Sequence, residues 1–254
     1  MSFNRSNMSS GSRMNRTVEF GRTRVVRPKG RHQATIVWLH DLGEDGSRWS
    51  QLLEGLPLRN IKWICPTAPT RPVASYGGFA CTAWFDVGEI SEDAPDDREG
   101  LDAAATHVAN LLSAEPSDVK LGVGGFSMGA AVALYSGTCH VVGKYLNGMR
   151  YPVNLKAIVG VSGWLPCLRI LKSRMEGSQE AVSRAASLPT LLCHGSVDDV
   201  VKLNHAELSA RTLSATGFKN LVYRTYDGLG HFTIPQELNE ICYWLTAILG
   251  LEGS

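Results

Sequence analysis

Val119-Lys120-Leu121-Gly122-Val123-Gly124-Gly125-Phe126-Ser127-Met128-Gly129-Ala130-Ala131-Val132-Ala133-Leu134-Tyr135 decides the fold. Its first six residues are a short apolar run suited to a buried strand, and its last six are rich in helix formers. Between them stands Gly125-x-Ser127-x-Gly129. Strand, tight turn and helix are the setting that a nucleophile elbow requires. The two glycines remove side chains where strand and helix crowd together, and the serine sits at the apex with its hydroxyl exposed. Glycine and serine are common in loops, so the motif alone is weak and the rest of the chain decides what it means.

A serine hydroxyl needs a base to take its proton and a third group to orient that base. Downstream, Leu188–Cys193 reads as a buried strand that runs into His194-Gly195-Ser196-Val197-Asp198-Asp199. Leu221–Tyr226 reads as another strand, ending in Asp227-Gly228-Leu229-Gly230-His231. Three strand ends therefore supply Ser127, an aspartate and His231, in the chain order Ser, Asp, His of α/β-hydrolases. Physical reasoning does not separate Asp198 from its neighbour Asp199. His107 and His205 read as surface groups on helices, His32 and His140 have no motif around them, and His194 reads as fixing the loop before the aspartates.

Upstream, Ala34–Leu39 reads as a strand leading into His40-Asp41-Leu42-Gly43-Glu44-Asp45-Gly46. An esterase holds its tetrahedral oxyanion on two backbone N–H groups, one from the residue after the nucleophile, here Met128, and one from an early strand-end loop. The loop from His40 to Gly43 is the good candidate for the second.

Strands are expected at Val18–Val26 (an edge strand), Thr35–Leu39, Ile61–Cys65, Val119–Gly124, Lys156–Val161, Leu191–His194 and Val222–Tyr226. Helices are expected at Ser47–Leu56, Arg98–Ser113, Met128–Thr138, Glu180–Ala186, His205–Thr216 and Pro235–Leu249. Alternating strands and helices predict an α/β fold with a mainly parallel central sheet covered by helices on both faces. A chain of 254 residues with 44% hydrophobic content and 26 glycines suits one such domain, over 18–254.

Together these stretches resemble the acyl-protein thioesterase family, also called the phospholipase/carboxylesterase family of α/β-hydrolases. The matching pieces are Ile36–Gly46, Cys65–Val73, Trp84-Phe85-Asp86, Gly124–Ala130, Ser162–Pro166, His194–Val201 and Gly228–His231, in the family's order over nearly all of 34–249. The insert Val141–Leu155 and the aspartate-rich loop before it resemble the plant-type branch. The resemblance implies the α/β-hydrolase fold, Ser127 as nucleophile, Asp198 as orienting acid and His231 as general base. It implies Leu42 and Met128 as oxyanion donors, Val73–Trp84 as a lid-like loop, and Trp84, Trp164 and Leu165 as acyl contacts. It implies acylated proteins, lysophospholipids or small esters as substrates, with no metal or organic cofactor and no nucleic-acid partner. One position departs from the pattern: Asp41 stands where family members commonly carry glycine, and a carboxylate near a developing oxyanion opposes catalysis.

Two other readings differ in what the same residues do. A short-chain carboxylesterase or deacetylase would share the triad and differ in the depth of its acyl tunnel. A ligand receptor on a hydrolase fold would turn over slowly, and Asp41 is its support.

The net charge of +1 hides an asymmetry. Residues 1–31 hold eight basic side chains and one acidic one, net +7, which leaves −6 on the remaining 223 residues. Residues 1–17 are polar and Arg/Ser-rich, and read as a disordered, solvated tail; a transit peptide or weak attraction to anionic membranes are the competing readings. No apolar run approaches the ~20 residues of a membrane span, so membrane contact is at most peripheral. The six cysteines show no metal-ligand spacing and read as reduced thiols of the cytosol. The acidic loop Glu89–Glu99 reads as a solvated loop and helix N-terminus.

Overall fold

A computed structural model describes residues 18–91 and 93–252. The tail read at 1–17 lies outside the described residues. Seven strands form one sheet in the order β1-β3-β2-β6-β7-β8-β9. They are β1 (Arg24–Val26), β2 (Ala34–Leu39), β3 (Ile61–Cys65), β6 (Lys120–Phe126), β7 (Leu155–Val161), β8 (Thr190–Gly195) and β9 (Leu221–Tyr226). Only the edge pair β1–β3 is antiparallel; every other pair is parallel. Every residue of β2 and β8 is buried, as expected for strands covered on both faces. The edge strand is shorter than its apolar pattern predicts, because only three residues find partners, at Trp63–Cys65 of β3.

Helices α1 (Gly46–Glu54), α2 (Arg98–Ser113), α3 (Met128–Val142), α4 (Leu168–Met175), α5 (Gln179–Ser187), α6 (Leu203–Ala215) and α7 (Pro235–Leu249) connect the strands. They divide the core in two. On one face α3 lies against β6 and β7, with α2 and α5 packed against it and α2 also reaching β2. Its run of Gly and Ala allows that close approach: a Cβ on Gly137 would meet Ile158 Cγ1 at 3.2 Å. On the other face α1 and α7 cover an aromatic cluster in which Trp38 meets Trp49 and Trp63, and Trp49 meets Phe126.

Two elements carry no pattern in the sequence. A hairpin pairs β4 (Thr70–Pro72), just before the segment read as a lid, with β5 (Ala80–Thr82) inside it. Helix α4 buries only Leu171 and Met175. The acidic loop is more than solvated surface. Asp97 caps α2, with Oδ1 accepting from Gly100 N–H, while Oδ2 takes Asp86 N–H and the Arg71 guanidinium. Asp96 accepts from Cys167 N–H. His107 is not the surface group its polar neighbours imply: it is half-buried and stacked on Phe20, with ring centroids 3.8 Å apart. His205 is likewise half-buried. Among the described residues, no helix is long and apolar enough to cross a membrane.

Candidate active site

Parallel strands point their carboxyl ends to one side of the sheet, where open α/β sheets gather reactive groups. β2, β6, β7, β8 and β9 there deliver His40, Ser127, Ser162, Asp198 and His231 in their following loops. Ser127 sits between β6 and α3 with φ 54° and ψ −118°, a conformation that an L-residue holds only when its surroundings impose it. Here the surroundings are backbone. Ser127 N–H donates to Val161 O at 2.8 Å. A Cβ on Gly125 would sit 2.4 Å from the Gly129 carbonyl carbon, and one on Gly129 would sit 2.2 Å from Leu39 O. A third glycine, Gly163, lies as close: its Cβ would come within 2.5 Å of Ala130 Cβ.

The Asp198 and His231 loops are locked together. Ser196 N–H donates to Tyr226 O, Val197 N–H to Leu229 O, and Gly228 N–H to Ser196 Oγ. Asp198 Oδ1 accepts from Val200 and Val201 N–H at 3.0 and 2.9 Å. Its Oδ2 lies 2.7 Å from His231 Nδ1, and His231 Nε2 lies 2.9 Å from Ser127 Oγ. The fold thus separates the two candidate acids: Asp198 is buried and joined to His231, while Asp199 is exposed. Buried His194 donates from Nε2 to Val201 O at 2.7 Å, bracing the Asp198 loop as its place in the sequence implies.

His40 builds the opposite wall. Its Nε2 accepts from Ala68 N–H at 2.9 Å, so the neutral ring carries its proton on Nδ1, which donates to Asp41 O at 2.6 Å. Burial, the largest influence, pulls the His40 pKa down and keeps the ring neutral. Trp84 N–H donates to His40 O at 2.9 Å, and Gly43 N–H to Thr82 O at 2.8 Å. The hairpin therefore anchors this loop. Trp84 is buried behind it and lines no part of the neighbouring cavity, whereas Trp164 and Leu165 do. That cavity, about 240 Å³, also takes in Phe85, Ile90 and Leu208; Ser127 and His231 are not in its walls. Trp164 is joined to the elbow through Gly163.

The N–H groups of Leu42 and Met128 converge on one point, and an oxygen already stands there. Asp41 Oδ1 lies 2.6 Å from Leu42 N and 3.5 Å from Met128 N. Asp41 Oδ2 is 3.5 Å from His231 Nε2. Burial raises the Asp41 pKa, but hydrogen bonds from His231, Ser127 and Leu42 outweigh it and hold the carboxyl below its ordinary value. Burial likewise lowers the His231 pKa, but Asp198 and Asp41 together outweigh it and hold the imidazole at about 9. The glycine-to-aspartate departure was legible in the sequence; the seat of the carboxylate was not.

The profile of the Phospholipase/Carboxylesterase family matches residues 21–249. Acyl-protein thioesterase 1 of Schizosaccharomyces pombe is 32% identical over 233 residues, 89% of this chain and 96% of that protein. The crystal structure of Zea mays acyl-protein thioesterase 2 superposes with a TM-score of 0.89 at 66% identity, covering 91% of this chain and all of the other. That of Arabidopsis thaliana SOBER1 superposes at 0.69 with 26% identity, covering 85% and 99%. With a family profile spanning the whole sheet and relatives matched almost end to end, the chain belongs to the phospholipase/carboxylesterase family of α/β-hydrolases.

Proposed function

We propose that this protein is an acyl-protein thioesterase that also cleaves carboxylic esters, with Ser127 as nucleophile, His231 as general base and acid, and Asp198 as the group that orients His231. The observation that carries this reading is the unbroken chain from Ser127 Oγ through both nitrogens of His231 to Asp198 Oδ2, at 2.9 and 2.7 Å. The names of the maize and fission-yeast relatives supply the substrate class, an acyl group on a protein thiol.

His231 Nε2 takes the Ser127 proton as Oγ attacks the acyl carbonyl. The tetrahedral oxyanion rests on Leu42 and Met128 N–H. The thiol or alcohol leaves with the proton from His231, and water cleaves the acyl-serine ester by the same route. Only the neutral imidazole can begin this cycle. The cavity has an apolar wall, Phe85, Trp164 and Leu165, which is room for an acyl chain, and a charged wall that includes Asp86, Glu89 and Arg98. Six free cysteines, five of them buried, suit a reducing compartment, in keeping with the cytosol.

The test is labelling by a fluorophosphonate together with hydrolysis of matched S- and O-acyl substrates. Ser127→Ala is expected to abolish both, since loss of a triad member costs several orders of magnitude. Labelling or turnover within about tenfold of wild type would refute the mechanism. A preference for acetyl over long acyl groups, on both sulfur and oxygen, would move the reading to a short-chain esterase.

A further inference from the structure

Resting on the hydrolase reading above, we propose that Asp41 is a gate: its carboxylate fills the oxyanion hole of the resting enzyme, in the seat of the product acid, and must leave before an acyl group can be held there. The geometry is that of a bound carboxylic acid. Oδ1 takes the two backbone donors, Leu42 N–H and Met128 N–H, and Oδ2 faces His231 Nε2. A fatty acid released from Ser127 would place its two oxygens on the same donors.

The plug is held from outside the active centre. The loop's backbone is pinned by His40 and Trp84, and by Gly43 N–H on the hairpin. Asp41 N–H points to Glu44 Oε2 at 3.4 Å. The side chain of Asp41 is 21% exposed, so a rotation toward solvent is open to it.

Each element around Asp41 contributes a charge or a proton to the balance. Its own loop carries neutral His40 and the carboxylates Glu44 and Asp45; α1 sends Arg48 to Glu44 at 2.6 Å. The elbow contributes the Ser127 hydroxyl. The β8–α6 loop contributes Asp198, with buried His194 behind it, and the β9–α7 loop contributes His231. His231 is therefore flanked by two carboxylates, at 2.7 and 3.5 Å, which favour the imidazolium. One carboxylate thus slows the reaction twice: it takes the oxyanion donors, and it stabilises the form of His231 that cannot accept a proton.

Two consequences separate the gate from a structural role. Without the Asp41 charge, His231 titrates lower, so the alkaline rise in kcat/KM moves to lower pH. Without the carboxylate, the vacated donors take up free fatty acid, so product inhibition strengthens. In wild type the seat is already filled by an intramolecular carboxylate that returns as the product departs.

The experiment compares wild type, Asp41→Asn and Asp41→Gly in three measurements: the rate constant for fluorophosphonate labelling, kcat/KM on a small activated ester from pH 6 to 10, and inhibition by octanoate. Asp41→Gly is expected to label at least about tenfold faster at pH 7, the order of one pKa unit of base or a fraction of one oxyanion donor. Its pH profile is expected to shift to lower pH, with octanoate inhibiting at roughly tenfold lower concentration. Asp41→Asn keeps an oxygen that can accept both N–H groups. It is expected to move the pH profile like glycine while gaining less in rate, and it serves if the glycine variant fails to fold. Folded variants that label no faster, keep the wild-type pH profile and show unchanged octanoate inhibition would overturn the gate while leaving the hydrolase reading intact. No Ser127 labelling in wild type or either variant would overturn the hydrolase reading itself.

Discussion

Asp198→Asn tests the assignment that the fold makes between two adjacent aspartates. In the wild type, Oδ1 holds Val200 and Val201 N–H and Oδ2 faces His231 Nδ1. The asparagine carbonyl oxygen will keep the two backbone donors, because an amide NH2 cannot accept from them. The amide nitrogen is then turned toward Nδ1 and donates to it. That fixes the imidazole with its proton on Nε2, the nitrogen 2.9 Å from Ser127 Oγ, so it cannot accept the serine proton. The same tautomer error costs about 10⁴ in kcat in the serine-protease precedent, or roughly 5.5 kcal/mol of barrier.

Stability also falls, by about 1.5–3 kcal/mol, because hydrogen bonds to a charged acceptor are replaced by neutral ones. Its sign with pH follows from the carboxyl itself. Burial pushes the Asp198 pKa up, but His231 and Val201 N–H outweigh that and hold it below its ordinary value. Its contribution is present above the unfolded pKa and lost as pH falls through the lower folded one, so wild type and variant should converge in acid. Asp199→Asn is the control. Asp199 is exposed, and the change should alter kcat by no more than about twofold. The assay is kcat on a chromogenic ester and a thioester, with Tm measured alongside. A folded Asp198→Asn enzyme within about tenfold of wild type, or an equal loss at Asp199, would refute the reasoning.

Gly129→Ala should destabilise by roughly 1–3 kcal/mol or more, because the new methyl meets Leu39 O at 2.2 Å and backbone yields little. Gly88→Ala, whose nearest neighbour is Ala74 Cβ at 3.8 Å, should leave Tm unchanged, and equal Tm losses would contradict this account of the elbow. Glu237 is fully buried, and burial outweighs the backbone N–H at Ile234 and pushes its pKa up to about 8. A raised folded pKa means stability that is lost as pH rises from the unfolded value through about 8. Glu237→Gln should therefore raise Tm above wild type at pH 9 and not at pH 4; a pH-independent difference would show that folding leaves the Glu237 pKa unchanged.

The order of the sheet and the position of the centre were legible because they follow from burial and from glycine. β2, β6, β7 and β8 are apolar runs covered on both faces over most of their length, and a pattern of that kind survives without knowledge of partners; β9, at the sheet edge, buries only Tyr226 and is marked instead by its β-branched and aromatic residues. The ranges expected for α2 and α7, Arg98–Ser113 and Pro235–Leu249, are those of the structure, where Asp97 caps α2 and Pro235 and Gly250 bound α7. What depends on one tertiary contact was not. β4 is three residues, Thr70-Arg71-Pro72, and it is a strand only because Ala80–Thr82 lies opposite. Helix α4, Leu168–Met175, is eight residues long and buries two side chains, so its apolar period is too short to read. His107 lies in a polar stretch and is covered only because Phe20, some 87 positions earlier, stacks on it.

The centre itself divides along the same line. Ser127 and His231 are marked by glycines that their turns demand, and such marks are local. Asp198 and Asp199 carry the same chemistry in adjacent positions, and only the bonds from Val200 and Val201 N–H decide which one turns inward. The family resemblance implies Trp84 as a contact for the acyl chain. In the structure its one polar atom holds His40 O and so fixes the loop that carries Asp41 and Leu42. Asp41 is the extreme case. Its presence could be seen as a departure from glycine, but the consequence depends on a side-chain torsion. Turned outward it is one more surface carboxylate; turned inward, as here, it stands on the two donors that an acyl oxygen would need.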